Sequence, residues 1–227
     1  MTPRVIVSYD GTDNDRDAIA LAALLRDAGA DLSLAYVRHL RENDAVRERA
    51  VQEEADDMLE GGARALGADV PRHVILDAST GQGLARLAER ERADLVAFGS
   101  EYRTPAGHVA PGGSAQRLLS GGPVGVALAP AGMRDGRREI QTVGAIAEAG
   151  DRGATETAEA LARALGAALA ERYDTGVDAL VVGSHPAGVP HRVTLSAAAR
   201  YVIETARCPV IVLPRGRRIE FGAAGTA

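Results

Sequence analysis

Ala93-Asp-Leu-Val-Ala-Phe-Gly99-Ser with the later Gly125-Val-Ala-Leu-Ala-Pro130, and Val177-Asp-Ala-Leu-Val-Val-Gly183-Ser with the later Pro209-Val-Ile-Val-Leu-Pro214, decide the fold. In both stretches an aspartate stands five residues before the glycine and a proline 31 residues after it. Two coincidences at one spacing mark a duplicated unit, and a repeat governs the reading of everything around it. Upstream the symmetry breaks. Asp10 precedes Gly99 by 89 residues, whereas its counterpart by position, Glu148, precedes Gly183 by only 35. The second copy therefore lacks some 54 residues.

Apolar runs bounded by glycine and aspartate predict strands at residues 4–9, 31–37, 72–76, 94–98 and 124–129. Helical patterns lie between them at 13–28, 44–66, 83–91 and 114–119. Strands alternating with helices imply an α/β fold with a doubly wound parallel sheet. A polar, glycine-bearing linker at 131–139 marks a boundary between a first domain, 1–130, and a second, 139–215. The second offers strands at 140–147, 179–182 and 210–213 and helices at 154–172 and 197–205; residues 216–227 read as a loose tail. The missing piece corresponds to strand two, the charged helix and strand three. Losing it is tolerable only if strands one and four are neighbours joined by one right-handed crossover. That fixes the sheet order as 3-2-1-4-5, and the reduced copy as 1-4-5.

Composition excludes several functions. The 227 residues carry a net charge of -5, which argues against a nucleic-acid-binding face. All 26 basic residues are arginine, so no Walker lysine, Schiff-base lysine or kinase strand lysine exists. A single cysteine, Cys208, leaves no intrachain disulfide and no thiol metal cluster, and reads as a small buried hydrophobe of a cytoplasmic protein. No apolar run reaches the ~20 residues of a membrane span. No G-x-S-x-G elbow or H-E-x-x-H pair is present.

Val-Ser-Tyr-Asp10-Gly-Thr, Gly99-Ser-Glu-Tyr, Pro111-Gly112-Gly113-Ser114 and Arg117-Leu-Leu, closing on Pro130, resemble the universal stress protein family. The chain is similar to tandem members of that family over residues 3–215, with one whole and one abridged domain. The resemblance implies an adenine nucleotide (ATP, ADP or AMP) held on its base side by Asp10, with Gly11, and by Val37. It implies a ribose and phosphate loop of the form G-x-x-G-x9-G-[S/T], here Gly99, Gly112, Gly113 and Ser114, without a metal. Tyr102 replaces the second glycine and Gly113 the hydroxyl position, and the phenol is expected to obstruct the groove. In the family, domains pair antiparallel through their last strands, which implies intrachain pairing here and leaves room for a homodimer.

The residues allow blander roles as well. Gly112 and Gly113 admit an anion to the N–H groups of the following helix, with Arg103 and His108 in the same loop, or they make a tight turn with Ser114 as N-cap. Asp10 either meets a ligand at the carboxyl end of a parallel strand or caps the next helix. In the second copy the glycine pair is gone, Pro186 stands in the loop and no strand two walls the base, so no nucleotide is expected beside Ser196. His185 and His191 lack carboxylate or thiol partners for a metal; His39 and His73 read as strand-end surface residues. Binding without turnover leads; a nucleotide-free interaction module docking through the truncated half, and a slow ATP hydrolase, are the alternatives.

Overall fold

Buried strands alternate with helices along the chain as the apolar pattern requires. The computed structural model describes residues 1–136, 139–147, 151–170 and 176–222. The first copy comprises β1 (Arg4–Ser8), α1 (Asp13–Asp27), β2 (Asp31–Arg38), α2 (Ala45–Leu66), β3 (Arg72–Leu76), α3 (Thr80–Glu91), β4 (Leu95–Phe98), α4 (Gly113–Leu119) and β5 (Gly125–Leu128). The second comprises β6 (Thr142–Ile146), α5 (Gly153–Leu165), β7 (Ala168–Leu169), β8 (Ala179–Val182), α6 (Ala197–Thr205) and β9 (Val210–Val212).

The described strands form one sheet ordered β3-β2-β1-β4-β5-β9-β8-β6-β7. The first five follow the 3-2-1-4-5 order, and β6, β8 and β9 repeat the positions of strands one, four and five. Every neighbouring pair is parallel except β5 and β9. There Ala127 faces Ile211, and these two positions are 84 residues apart, the same offset as Asp94 to Asp178 and Gly99 to Gly183. The repeat therefore meets itself about a local two-fold axis. Contacts around that axis are reciprocal, as two-fold contacts must be. The Val109 N–H donates to the Ala206 carbonyl at 3.2 Å, and the Val193 N–H donates to the Gly122 carbonyl at 2.9 Å.

The repeated residues have structural duties that explain their spacing. The Asp94 carboxylate accepts from the Arg4 N–H at 3.0 Å, and that of Asp178 from Gln141 and Thr142, so each aspartate pins the first strand of its copy. Ser100 and Ser184 are buried and do the same work twice. Their hydroxyls donate to the carbonyls of Ala129 and Leu213, both at 2.7 Å, and accept from the N–H of Ala110 and Thr194. The Gly-Ser loops are thereby tied to the closing strands.

Apolar packing is organised by sheet face rather than by copy. One face gathers Leu25, Ala127, Leu161 and Ile211; the other gathers Leu118, Val126, Ile203 and Val212. Each cluster crosses the β5–β9 junction, following the period-two alternation of strands.

Three local expectations need correction. The helix expected over 154–172 ends at Leu165, because Gly166 takes a left-handed φ of 68°. The two-residue β7 that follows pairs with β6 on the side of the missing strand two, so among the described residues the 1-4-5 order of β6, β8 and β9 carries a stub of that strand at its edge. The helix expected from residue 83 begins at Thr80. Gly81 and Gly83 lie inside it where bare backbone is needed: a Cβ on Gly81 would press Arg117 and the Ser114 carbonyl, and one on Gly83 would press Val37 and Asp77. Residues 216–222 are not loose. Ile219 and Phe221 are buried in the cluster with Leu25, the Ile219 N–H donates to Thr157 Oγ1 at 2.9 Å, and Arg217 pairs with Asp94 at 3.4 Å. Glu148 and residues 171–172 lie outside the described residues.

Candidate functional site

Strand pairing alone brings the candidate residues to one edge. β1 lies between β2 and β4, so Asp10, Val37 and Gly99 all follow or close neighbouring strands at their carboxyl ends. The antiparallel bridge between Ser100 and Pro111 then folds the loop back and sets Gly112 beside β4. Parallel α/β sheets bind ligands at this edge.

The Asp10 turn is polar and self-satisfied on its protein side. The Thr12 N–H donates to Asp10 Oδ1 at 3.1 Å, and the N–H groups of Asp10 and Thr12 both donate to the Asp15 carboxylate. Gly11 takes a left-handed φ of 80°, and the Met58 thioether of α2 roofs it. Asp10 itself remains exposed. Asp15 is the residue that sequence reading missed here. Burial, followed by its hydrogen bond with the Asp10 carboxyl, raises its pKa from 3.8 to about 7. The sequence signal that could have found it is the Thr12-x-x-Asp15 spacing of a capping box, whose N3 side chain reaches back to the N-cap N–H.

The shift has a testable sign. A carboxyl whose folded pKa is raised contributes stability fully below its unfolded pKa, near 4, and loses it as pH rises through about 7. Stability is expected to fall between about pH 4 and 7, and Asp15→Asn, whose amide oxygen still accepts the two N–H bonds, to flatten that fall. Urea midpoints of both proteins across that range are the measurement; parallel curves would contradict the assignment.

The two ends of the glycine motif differ sharply. Gly99 is closed: a Cβ there would overlap the Asn14 carbonyl at the start of α1. Its missing side chain is taken up by helix packing. Gly112 and Gly113 are open, with nothing within 4 Å of a Cβ at either. Gly112 is the N-cap of α4, Gly113 and Ser114 are its first two residues, and no side chain caps the helix. Ser114 is therefore not the N-cap. Its helix begins with unpartnered N–H groups facing open space.

At the equivalent place in the second copy, Ser196 is the N-cap of α6 and accepts from the Ala199 N–H at 3.1 Å. That helix end is closed by its own serine. His185 accepts from the Ala187 N–H, and His191 takes a left-handed φ of 59° at the position of Gly107, whose φ is 80°. Among the described residues no group of three or more His, Cys, Asp or Glu side chains is placed to hold a metal.

Tyr102 does not obstruct the groove. It and Arg103 occupy the tip of a turn closed by the Thr104 N–H on the Glu101 carbonyl at 2.9 Å. The tip throws the ring outward, 67% exposed, with the Arg103 guanidinium 5.1 Å over its centroid. Arg103 is thus exposed on the outside of the loop, against the Tyr102 ring. Val37 is buried against Gly83. Cys208 is buried. His39 is exposed at the end of β2, but its ring has specific partners in Asp77 and Thr80. No described helix is long and apolar enough to cross a membrane.

Among solved structures, a universal stress protein from Archaeoglobus fulgidus superposes with a TM-score of 0.64 at 16% identity, covering 94% of this chain and 98% of that one. A functionally unknown protein from Pseudomonas aeruginosa gives 0.62 at 14% identity over 95% and 93%. A universal stress protein in complex with cAMP is 28% identical, with a TM-score of 0.31 over 42% of this chain and 70% of that one. No protein of curated function matches the chain. The model of the universal stress protein family matches residues 1–130, the whole first copy from β1 to the closing Pro130, and the chain belongs to that family.

Proposed function

We propose that the chain is a cytoplasmic adenine-nucleotide-binding protein with one site, at the carboxyl edge of β2, β1 and β4, and that it acts by binding and not by nucleotide turnover. The observation that carries this reading is the asymmetry between α4 and α6: the glycine-led helix start of the first copy is open and uncapped, and the serine-led start of the second is closed. A phosphate at Gly112-Gly113-Ser114 would meet N–H groups already free of protein partners, near the positive end of a helix. Asp10 and Gly11, beside Val37, would take the base, with ribose crossing Gly99. Arg103 would reach a phosphate only by leaving Tyr102. In this reading residues 1–130 are the binding unit. Residues 139–215 are a reduced unit paired to it through β5 and β9, the pairing that a dimer of separate chains would otherwise use.

Gly113→Val tests the phosphate end. Its backbone position leaves room for the side chain, so the fold should persist, while the isopropyl group would stand where a phosphate must approach. Losing one hydrogen bond to a charged group costs about 1.5–3 kcal/mol, roughly ten- to a hundredfold in affinity. ATP should lose that much and adenosine much less. Equal losses for both would move Gly113 away from the phosphate.

A further inference from the structure

One chemically ordered cluster borders the nucleotide edge, where the carboxyl end of β2 meets that of β3. His39 Nδ1 stands 3.0 Å from the carbonyl oxygen of Asp77, and Thr80 Oγ1 stands 3.3 Å from His39 Nε2. A carbonyl oxygen only accepts, so Nδ1 carries the proton of the neutral ring and Nε2 is left as an acceptor. The Thr80 hydroxyl is then the donor to Nε2. This is the order of nucleophile, base and orienting group that activates a hydroxyl in acyl transfer.

The surroundings hold that order in place. The orienting carbonyl belongs to a fixed residue: the Asp77 N–H donates to the Arg38 carbonyl at 2.9 Å, its carboxylate accepts from the Ser79 N–H at 2.9 Å, and Arg86 pairs with it. Thr80 is the first residue of α3, a helix of 12 residues whose N-cap, Ser79, makes no side-chain cap bond. Leu40, next to His39, and Leu76, next to Asp77, are 77% and 49% exposed. These leucines put exposed apolar surface at the ends of the same two strands, contact area for an apolar group.

We propose that Thr80 and His39 form a nucleophile–base pair that accepts acyl groups from activated carboxylic esters with an apolar acyl or alcohol part. In the first step Thr80 Oγ1 bonds to the ester carbonyl carbon as its proton passes to His39 Nε2. The carbon–oxygen bond to the alcohol then breaks, and the imidazolium returns the proton to the leaving oxygen. Water, deprotonated by the same Nε2, hydrolyses the acyl-threonine and restores the hydroxyl. This reaction uses neither the glycine loop nor a nucleotide, so it stands or falls independently of the function proposed above.

The experiment is full-length protein with 4-nitrophenyl acetate and, separately, 4-nitrophenyl butyrate. The expected result is a burst of one nitrophenolate per chain, an acetyl group on Thr80 by peptide mapping, and a faster burst with butyrate. Thr80→Ala and His39→Gln should each slow acylation about 100-fold or more, and Thr80→Ser should retain it. An acetyl group absent from Thr80 in the wild type would overturn the proposal, whether or not the variants fold. So would a Thr80→Ala protein that keeps its rate, which would assign the reaction to an imidazole acting alone.

Discussion

Gly99→Ala is expected to destabilise the protein by about 3 kcal/mol or more, while Gly112→Ala, in the same glycine motif, leaves stability unchanged or slightly raised. The difference lies in what each added methyl would meet. At Gly99 it would overlap the Asn14 carbonyl and press the Asn14 side chain at 3.3 Å, so the first turn of α1 must move off the sheet. Overpacking of this kind costs typically 1–3 kcal/mol, and backbone cannot yield as a flexible side chain can. Because Asn14 is followed by Asp15, the same displacement would disturb the acceptor of the Asp10 and Thr12 N–H groups. At Gly112 the methyl would meet nothing within 4 Å, and its φ of -70° suits any residue. Urea unfolding of the two variants at one pH measures both. Equal losses would mean that Gly99 is not held against α1.

Residues 131–227 expressed alone are expected to have no cooperative unfolding transition, an effect as large as the whole stability of that segment. β9 would lose its antiparallel partner β5, exposing the edge that now pairs through Val210, Ile211 and Val212. Both apolar clusters would also be cut, since Leu161 and Ile211 share one face with Leu25 and Ala127, and Ile203 and Val212 share the other with Leu118 and Val126. Ile219 and Phe221 would lose the first-copy half of the cluster that buries them. A three-stranded remnant with a two-residue stub at its edge cannot bury enough surface to offset chain entropy. Thermal and urea melts followed by far-ultraviolet circular dichroism are the measurement. A sharp, concentration-independent transition would contradict the shared-core account.

The sequence carried the fold because the repeat is written in residues with local jobs. Asp94 and Asp178 recur at one spacing because each binds the N-terminal N–H groups of a first strand, and Ser100 and Ser184 because each ties a loop to a closing strand. The length of the missing segment then gave the strand order by itself. Features made by long-range contact were not legible. Ile219 and Phe221 look like a polar, glycine-rich end until the fold brings α1 and α5 beneath them. β7 is too short, and too rich in alanine, to be told from a continuing helix.

The same limit applies to the site. Gly112 and Gly113 were legible as an open turn, since glycine pairs before a helix have few other uses. Gly99 reads identically, yet its space belongs to Asn14, 85 residues earlier. Tyr102 read as an obstruction because a motif fixes position but not direction; the turn at Glu101–Thr104 sends the ring outward. The His39–Thr80 pair, 41 residues apart, is assembled only by β2 and β3 lying side by side.

The most direct test of the account is a calorimetric titration of the full chain with ATP, ADP, AMP and cyclic AMP, repeated with Gly113→Val and with Ser196→Gly. The predicted result is one site per chain for the preferred nucleotide, weakened ten- to a hundredfold by Gly113→Val and untouched by Ser196→Gly. Two equivalent sites, or a site lost with Ser196 and indifferent to Gly113, would contradict it.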